Sequence, residues 1–275
     1  MSELPRRELL RIVDLLEERH GVGMRGTELP RWLEDRLEQA TAALLRARGL
    51  QASELLGVLE VEPELVIELA NALRVGETRF YRDAAQWEAL RSSVLPELAR
   101  QRPEAVLLGL SAGCSTGEEA WTLAMLLSEA ARAAASGTRP RVVGIDRSEP
   151  ALVIARAGVY DVGSGQYLPR ELAQRFVQPA VDGSVKLSAE LSAQVTFQGR
   201  DLMRGVPAGR YAVIVCKNVL IYFGDEAQER LVGDLLRSLS DDGVLLVARS
   251  EVPIIRAHGA HSIEIAPGIT AFRSS

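Results

Sequence analysis

Two cysteines, three histidines and an aromatic content of 5% are what this 275-residue chain is short of, and each scarcity removes a class of function. Cys114 and Cys216 lie far apart, each inside apolar sequence, so neither a disulfide framework nor a thiolate metal site has anything to build on. Three histidines are too few for a histidine-rich metal centre. His258 and His261 are spaced for one helical face, where packing or surface roles are the plainer account. No apolar run reaches the roughly 18 residues of a membrane span. The first stretch, MSELPRRELLRIVDLLEERHG, carries acids where a signal peptide has its apolar core, so the expected location is the cytoplasm. Basic excess is missing too: the formal net charge is −5, and residues 1–75 hold 10 Arg/Lys against 14 Asp/Glu. A nucleic-acid backbone calls for a basic patch, so DNA or RNA is not an expected substrate.

What is present is a helical front and an alternating remainder. RELLRIVDLLEERHG repeats apolar residues at helical spacing up to Gly21, and a second such segment runs from Pro30 to Gly49. Ser53 is a candidate cap for ASELLGVLE, and PELVIELANALRV is a further amphipathic segment. Residues 1–75 therefore read as a small all-α domain, followed by a linking segment over 76–104. From there AVLLGL, RVVGID, QVTFQG, YAVIVCKN and GVLLVARS are short apolar runs of the kind buried on both faces of a sheet. Helical segments at 118–135, 150–157 and 225–239 separate them. The alternation predicts an α/β domain over 105–275, with a mostly parallel sheet covered by helices. HSIEIAPGITAFRSS adds an antiparallel hairpin around Pro267–Gly268, and the polar stretch 158–194 is expected to be an insertion.

Ligands of such sheets sit beyond the carboxyl ends of the strands, so the loops after residues 110, 146, 198 and 217 are the candidate site. SAGCSTGEEAW looks like a phosphate loop, with Gly113 and Gly117 permitting close backbone approach. Yet Glu118 and Glu119 would repel a pyrophosphate. A cationic, phosphate-free ligand such as S-adenosylmethionine fits better, although complementing the helix dipole would also explain both acids. Asp146 stands 29 residues after Gly117 at a strand end, placed for the ribose hydroxyls of an adenosine or for a helix cap, a role Ser148 could equally fill. Asp201 and Leu202 suit an adenine amino group and ring, or a solvated turn. Lys217, Asn218 and Tyr222 follow the most apolar strand, where polar residues are poor packing choices. Arg79, Phe80, Tyr81 and Arg82 crowd cations and aromatics together, which alone suggests packing.

Taken in order, these stretches resemble the CheR family, S-adenosylmethionine-dependent methyltransferases that esterify glutamates of bacterial chemoreceptors. The resemblance runs through HGVGMRG and LPRWLEDRLEQA, then GETRFYRD, SAGCSTGEEAWTLAM, GIDRSEPALVIARAGVYDV, CKNVLIYF and LSDDGVLLVARSE. It implies a Rossmann-like methyltransferase domain behind a helical domain that helps engage the receptor. It also implies cofactor contacts at Gly76, Thr78, Arg82, Gly113, Glu118, Asp146, Asp201, Leu202, Lys217 and Asn218, with Arg82 and Tyr222 in the active site. The partner implied is the cytoplasmic part of a chemoreceptor, met by a monomer with no membrane insertion and no metal. Three positions depart from the family pattern: Gly76 stands for Asn, Asp201 for Asn and Lys217 for Arg. The last exchange loses a planar donor fork. Two other readings stand beside this one: a same-fold enzyme acting on a small molecule or nucleic acid, and a non-catalytic cofactor-binding scaffold.

Overall fold

The computed structural model describes residues 4–20, 31–72, 78–101, 106–135, 137–180 and 183–274. Gly21, Pro30 and Gly76, to which the sequence assigns boundary or site roles, lie outside the described residues. Two compact units result, one of Met1–Gly76 with Ile221–Arg230, the other of Glu77–Leu220 with Leu231–Ser275.

The first unit contains α1 (Arg6–His20), α2 (Arg31–Arg48), α3 (Leu55–Val61) and α4 (Pro63–Ala72). Leu9, Ile12, Val13 and Leu16 fall at i, i+3, i+4, i+7 on α1 and are buried with Leu37, Leu55, Leu59, Val66 and Leu69. Burial of each such side chain contributes about 1.5–3 kcal/mol, which is why short helices persist here. Gly49, at φ +64°, follows the last residue of α2 in the left-handed conformation of a C-terminal stop. Ser53 caps no helix among the described residues: it lies inside a 3-10 turn, Ala52–Glu54, whose entry is held by the Gln51 N–H donating to Glu54 Oε2 at 2.7 Å. A longer acidic side chain reaches back where the serine hydroxyl would not.

The second unit opens with α5 (Ala84–Ala89), a π-helical turn over Leu90–Val94, and α6 (Leu95–Gln101). Then follow β1 (Val106–Ala112), α7 (Glu118–Ala134), β2 (Arg139–Asp146), α8 (Glu149–Ala157), β3 (Val159–Asp161), α9 (Arg170–Phe176), β4 (Val177–Pro179), β5 (Ser184–Leu187) and α10 (Ala189–Ser192). The chain continues through β6 (Val195–Gly199), β7 (Tyr211–Cys216), α11 (Asp225–Arg237), β8 (Leu239–Val247), α12 (Val252–Ala257), β9 (His261–Ala266) and β10 (Ile269–Arg273). Among the described residues one sheet has the order β6-β2-β1-β7-β8-β10-β9, and a second, small sheet the order β3-β5-β4. Pairs β6–β2, β2–β1, β1–β7 and β7–β8 are parallel, whereas β8–β10 and β10–β9 are antiparallel. This is the Rossmann-like, mostly parallel arrangement expected from the sequence, with its C-terminal hairpin. All six residues of β7 are buried, as expected of a central strand covered on both faces.

Strand order reverses between β1 and β7, so the loops after these two strands flank the switch point where such sheets bind ligands. The strand ends at Ala112, Asp146, Gly199 and Cys216 lie within two residues of those read from sequence. His258 and His261 do not share a helical face: α12 ends at Ala257, His258 follows it, and His261 begins β9. Two spacing-compatible residues were divided by a strand start that periodicity alone does not mark. Among the described residues no helix is long and apolar enough to cross a membrane, and no group of three or more His, Cys, Asp or Glu is placed to hold a metal ion.

Candidate active site

The loop between β1 and α7 is pinned on three sides. Gly113 and Cys114 N–H groups donate to Ile145 O at 2.8 and 2.9 Å, prolonging the β1–β2 pairing beyond the strand. Asp146, 1% exposed, accepts the Ser115 N–H on Oδ2 at 2.9 Å and the Ser148 N–H on Oδ1 at 2.8 Å. Tyr160 of β3 donates its hydroxyl to Thr116 O at 2.6 Å. Only glycine serves at position 113: φ is +81°, and a Cβ there would lie 2.6 Å from a Val219 methyl. The loop after β7 thus packs directly on the loop after β1. Ser148 also caps α8 by accepting the Ala151 N–H, so Asp146 and Ser148 both perform local capping.

Glu118 and Glu119 face different surroundings. Glu118 is buried, accepts the Thr116 hydroxyl at 2.6 Å, and acts on the Tyr160 phenol. Burial raises its carboxyl above the ordinary range, with the Thr116 bond opposing. Glu119 accepts the Ser111 hydroxyl from β1 at 2.8 Å and lies within the fields of Lys217, Glu251 and Arg82. Burial pushes its carboxyl up to about 7, against the lowering effects of Lys217, Ser111 and Arg82. Consecutive residues on a helix point about 100° apart, so one acid turns to the inserted sheet and the other to the switch point.

At the end of β7, Lys217 is 6% exposed and its Nζ donates to Arg82 O at 2.6 Å and to Asp83 Oδ2 at 3.2 Å. The same ammonium sits 4.9 Å from the Trp87 ring centroid. Burial lowers its pKa, while Glu119 and Asp83 pull it back up. Asn218 adopts φ +57°, and its Oδ1 is buried with no hydrogen-bond partner among the described residues. Glu251, fully buried after β8, accepts the N–H groups of Asn218, Val219 and Leu220 at 2.8–2.9 Å and that of Ala248 at 3.0 Å. Burial raises the Glu251 carboxyl and these bonds draw it down.

Arg82 lies between two non-glycine residues in the left-handed region, Tyr81 at φ 56° and Asp83 at φ 60°. Each such residue costs about 1–3 kcal/mol and persists only where neighbours over-determine it. The Tyr81 N–H donates to Thr122 Oγ1 at 3.2 Å, its hydroxyl donates to Glu88 at 2.6 Å, and its ring stacks on Trp87. Thr78 is half-buried. Asp201 accepts the Met203 N–H at 2.9 Å in a tight turn after β6, beside buried Leu202. Tyr222 ends the 3-10 turn Leu220–Tyr222 and is half-buried.

Arg82, Gly113, Lys217 and Asn218 are therefore brought to the switch point, joined by Glu119 and Ser111, which the sequence places in the candidate loop without a contact of their own, and by Glu251, which the sequence does not single out. The sequence leaves Glu119 open between a cationic ligand and the helix dipole, and Glu251 is one acid in ARSE after an apolar run. That position after β8 was its one visible signal. The site offers carboxylates, hydroxyls and an orphan amide oxygen, while its buried ammonium is already engaged. Such a set suits a ligand that brings an ammonium, a sulfonium and ribose hydroxyls but no phosphate.

Residues 76–261 match the family described as "CheR methyltransferase, SAM binding domain". The chain belongs to this family. It is 33% identical over 193 residues to the "Chemotaxis protein methyltransferase" of Vibrio parahaemolyticus, covering 68% of this chain and 69% of that protein. It is also 27% identical over 252 residues to a protein of that description from Borreliella burgdorferi, covering 89% and 87%. The cofactor is S-adenosylmethionine and the activity is methyl transfer. In this CheR methyltransferase the two glutamates that looked wrong for a phosphate loop agree with a phosphate-free cofactor.

Proposed function

We propose that this methyltransferase esterifies glutamate side-chain carboxylates on the cytoplasmic domains of chemoreceptors, working as a cytoplasmic monomer whose residues 1–75 help engage the receptor. The reading is supported by the similarity to proteins described as chemotaxis protein methyltransferases, and the observation that carries it is Arg82 held at the switch point. S-adenosylmethionine, when bound, supplies an electrophilic methyl on a sulfonium. Glu119 would accept its ammonium, with Glu118 reinforcing the negative field, and Asp146, at the end of β2, would face the ribose hydroxyls. Asp201 and Leu202 would receive the adenine, with Thr78, Gly113 and Asn218 completing the wall.

A glutamate acceptor has a pKa of about 4.3 and is already ionised near neutrality, so the chain need hold no strong base. Its task is alignment, which can supply on the order of 7–11 kcal/mol of a barrier. Arg82 would orient the acceptor carboxylate and Tyr222 would border the transferred methyl. Full neutralisation by Arg82 would stabilise the ionised reactant more than the charge-dispersed transition state. Its half-buried setting beside Glu119 limits that pairing. Incubation with methyl-labelled cofactor and receptor cytoplasmic fragments is expected to give base-labile ester on glutamate. Absence of such ester on every receptor fragment of the source organism overturns the reading.

A further inference from the structure

We propose that Lys217 is a positioning residue for Arg82: its buried ammonium fastens the backbone turn that carries Arg82 and thereby aims the guanidinium, instead of contacting the cofactor. The proposal rests on the reading of Arg82 as the group that orients the acceptor. Lys217 is one of two lysines in a chain with 30 arginines, and its side chain is 2% exposed. An isolated ammonium there would be strongly unfavourable, so its partners explain its presence. Two of its three donors go to consecutive residues, the Arg82 carbonyl and the Asp83 carboxylate.

The turn needs such a fastening. Tyr81 and Asp83 are both left-handed without being glycine, and Arg82 sits between them. On the N-terminal side Tyr81 is fixed by Thr122, Glu88 and Trp87. On the C-terminal side Lys217 bonds both the carbonyl before the strained Asp83 and the Asp83 carboxylate. Thr122 in turn donates to Glu118 O, so α7 and the end of β7 grip the turn from opposite sides. Trp87 serves both grips, stacking on Tyr81 and lying under the Lys217 ammonium. A compact, rotatable ammonium can reach a carbonyl and a carboxylate on one strained turn; a planar guanidinium fork does so with poorer geometry.

The test compares full-length wild type, Lys217→Met and Lys217→Arg by three readouts: methyl transfer to receptor fragments, calorimetric binding of S-adenosylhomocysteine, and trypsin cleavage at Arg82 followed by mass spectrometry. Lys217→Met is expected to lower kcat by about 10- to 100-fold, the effect of a small misplacement of an orienting group. Affinity for S-adenosylhomocysteine should change less than about threefold, well under the kcat effect. Cleavage at Arg82 should accelerate, and Lys217→Arg should recover part of kcat. Loss of affinity equal to the loss of kcat, or an unchanged kcat, overturns the proposal. If wild type methylates no fragment, the acceptor reading has failed. Cleavage then decides the positioning role alone, and an unchanged rate in Lys217→Met overturns it. Should Lys217→Met not fold, Asp83→Gly, which tolerates φ 60° and removes the exposed partner, is expected to show the same split. Wild-type kcat in that variant overturns the proposal.

Discussion

Glu119 shows how burial sets the charge of one side chain. Its carboxyl is raised to about 7 by burial, with Glu251 adding to the rise and Lys217, Ser111 and Arg82 opposing it. A carboxylate that receives an ammonium must be ionised, so in the free protein part of the population is unready near neutrality. Affinity for S-adenosylhomocysteine should therefore fall as pH drops from about 8 to about 6, approaching tenfold per unit below the raised pKa. Glu119→Gln should bind more weakly and lose this dependence. Calorimetry across the range checks it, and a flat wild-type profile removes Glu119 as the ammonium partner. At Gly113, φ +81° and a prospective Cβ 2.6 Å from Val219 both oppose a side chain. Gly113→Ala is expected to cost about 1–3 kcal/mol and to weaken cofactor binding, read by thermal melting and calorimetry together.

Among the elements, the end of β8 governs the loop after β7 through Glu251. Oε1 takes the Val219 and Leu220 N–H groups, and Oε2 takes those of Asn218 and Ala248. Removing the carboxylate leaves these donors without their acceptor, so Glu251→Ala should destabilise by about 3–5 kcal/mol. Glu251→Gln preserves volume, but its amide nitrogen must face two N–H donors whichever way it is turned. Its melting temperature should fall between those of wild type and Glu251→Ala. A Gln variant as stable as wild type would show that the loop does not depend on the second oxygen. The loop matters to the site because it presents Asn218 at φ +57° with Oδ1 turned inward, and seats Val219 against Gly113.

For the whole molecule, three buried carboxyls, Glu118, Glu119 and Glu251, are raised by burial. The sign follows from proton counting. Between the ordinary carboxylate value and the raised one, the native state holds protons that the unfolded chain has released. Stability is then greatest below the unfolded value and falls as pH rises through the folded one. The window for Glu119 closes at about 7. The melting temperature of the cofactor-free protein should decline from about pH 5 to about pH 7.5, and Glu119→Gln should flatten the upper part of that decline. Bound cofactor should flatten it as well, because an ammonium beside Glu119 draws its pKa back down. A melting temperature that climbs over this range would contradict the assigned burial effects.

Periodicity and motif order sufficed for much of this protein. Apolar runs of strand length separated by amphipathic segments require covered parallel strands, and a glycine loop without room for phosphate points to a cofactor carrying positive charge. Both follow from local composition, because burial on two faces and charge at a helix start are written in consecutive residues. The roles of Glu119, Glu251 and Lys217 were not legible in that way. Glu119 differs from Glu118 only in which way the helix turns it. Glu251 lies 33 residues beyond Asn218, the first of the loop N–H groups it holds, and Lys217 lies 134 residues from Asp83. The contacts of these buried charges are made across the sheet, where the desolvation penalty makes a partner obligatory. Sequence separation carries no trace of which partner that is, so the helical phase and the strand order decided it.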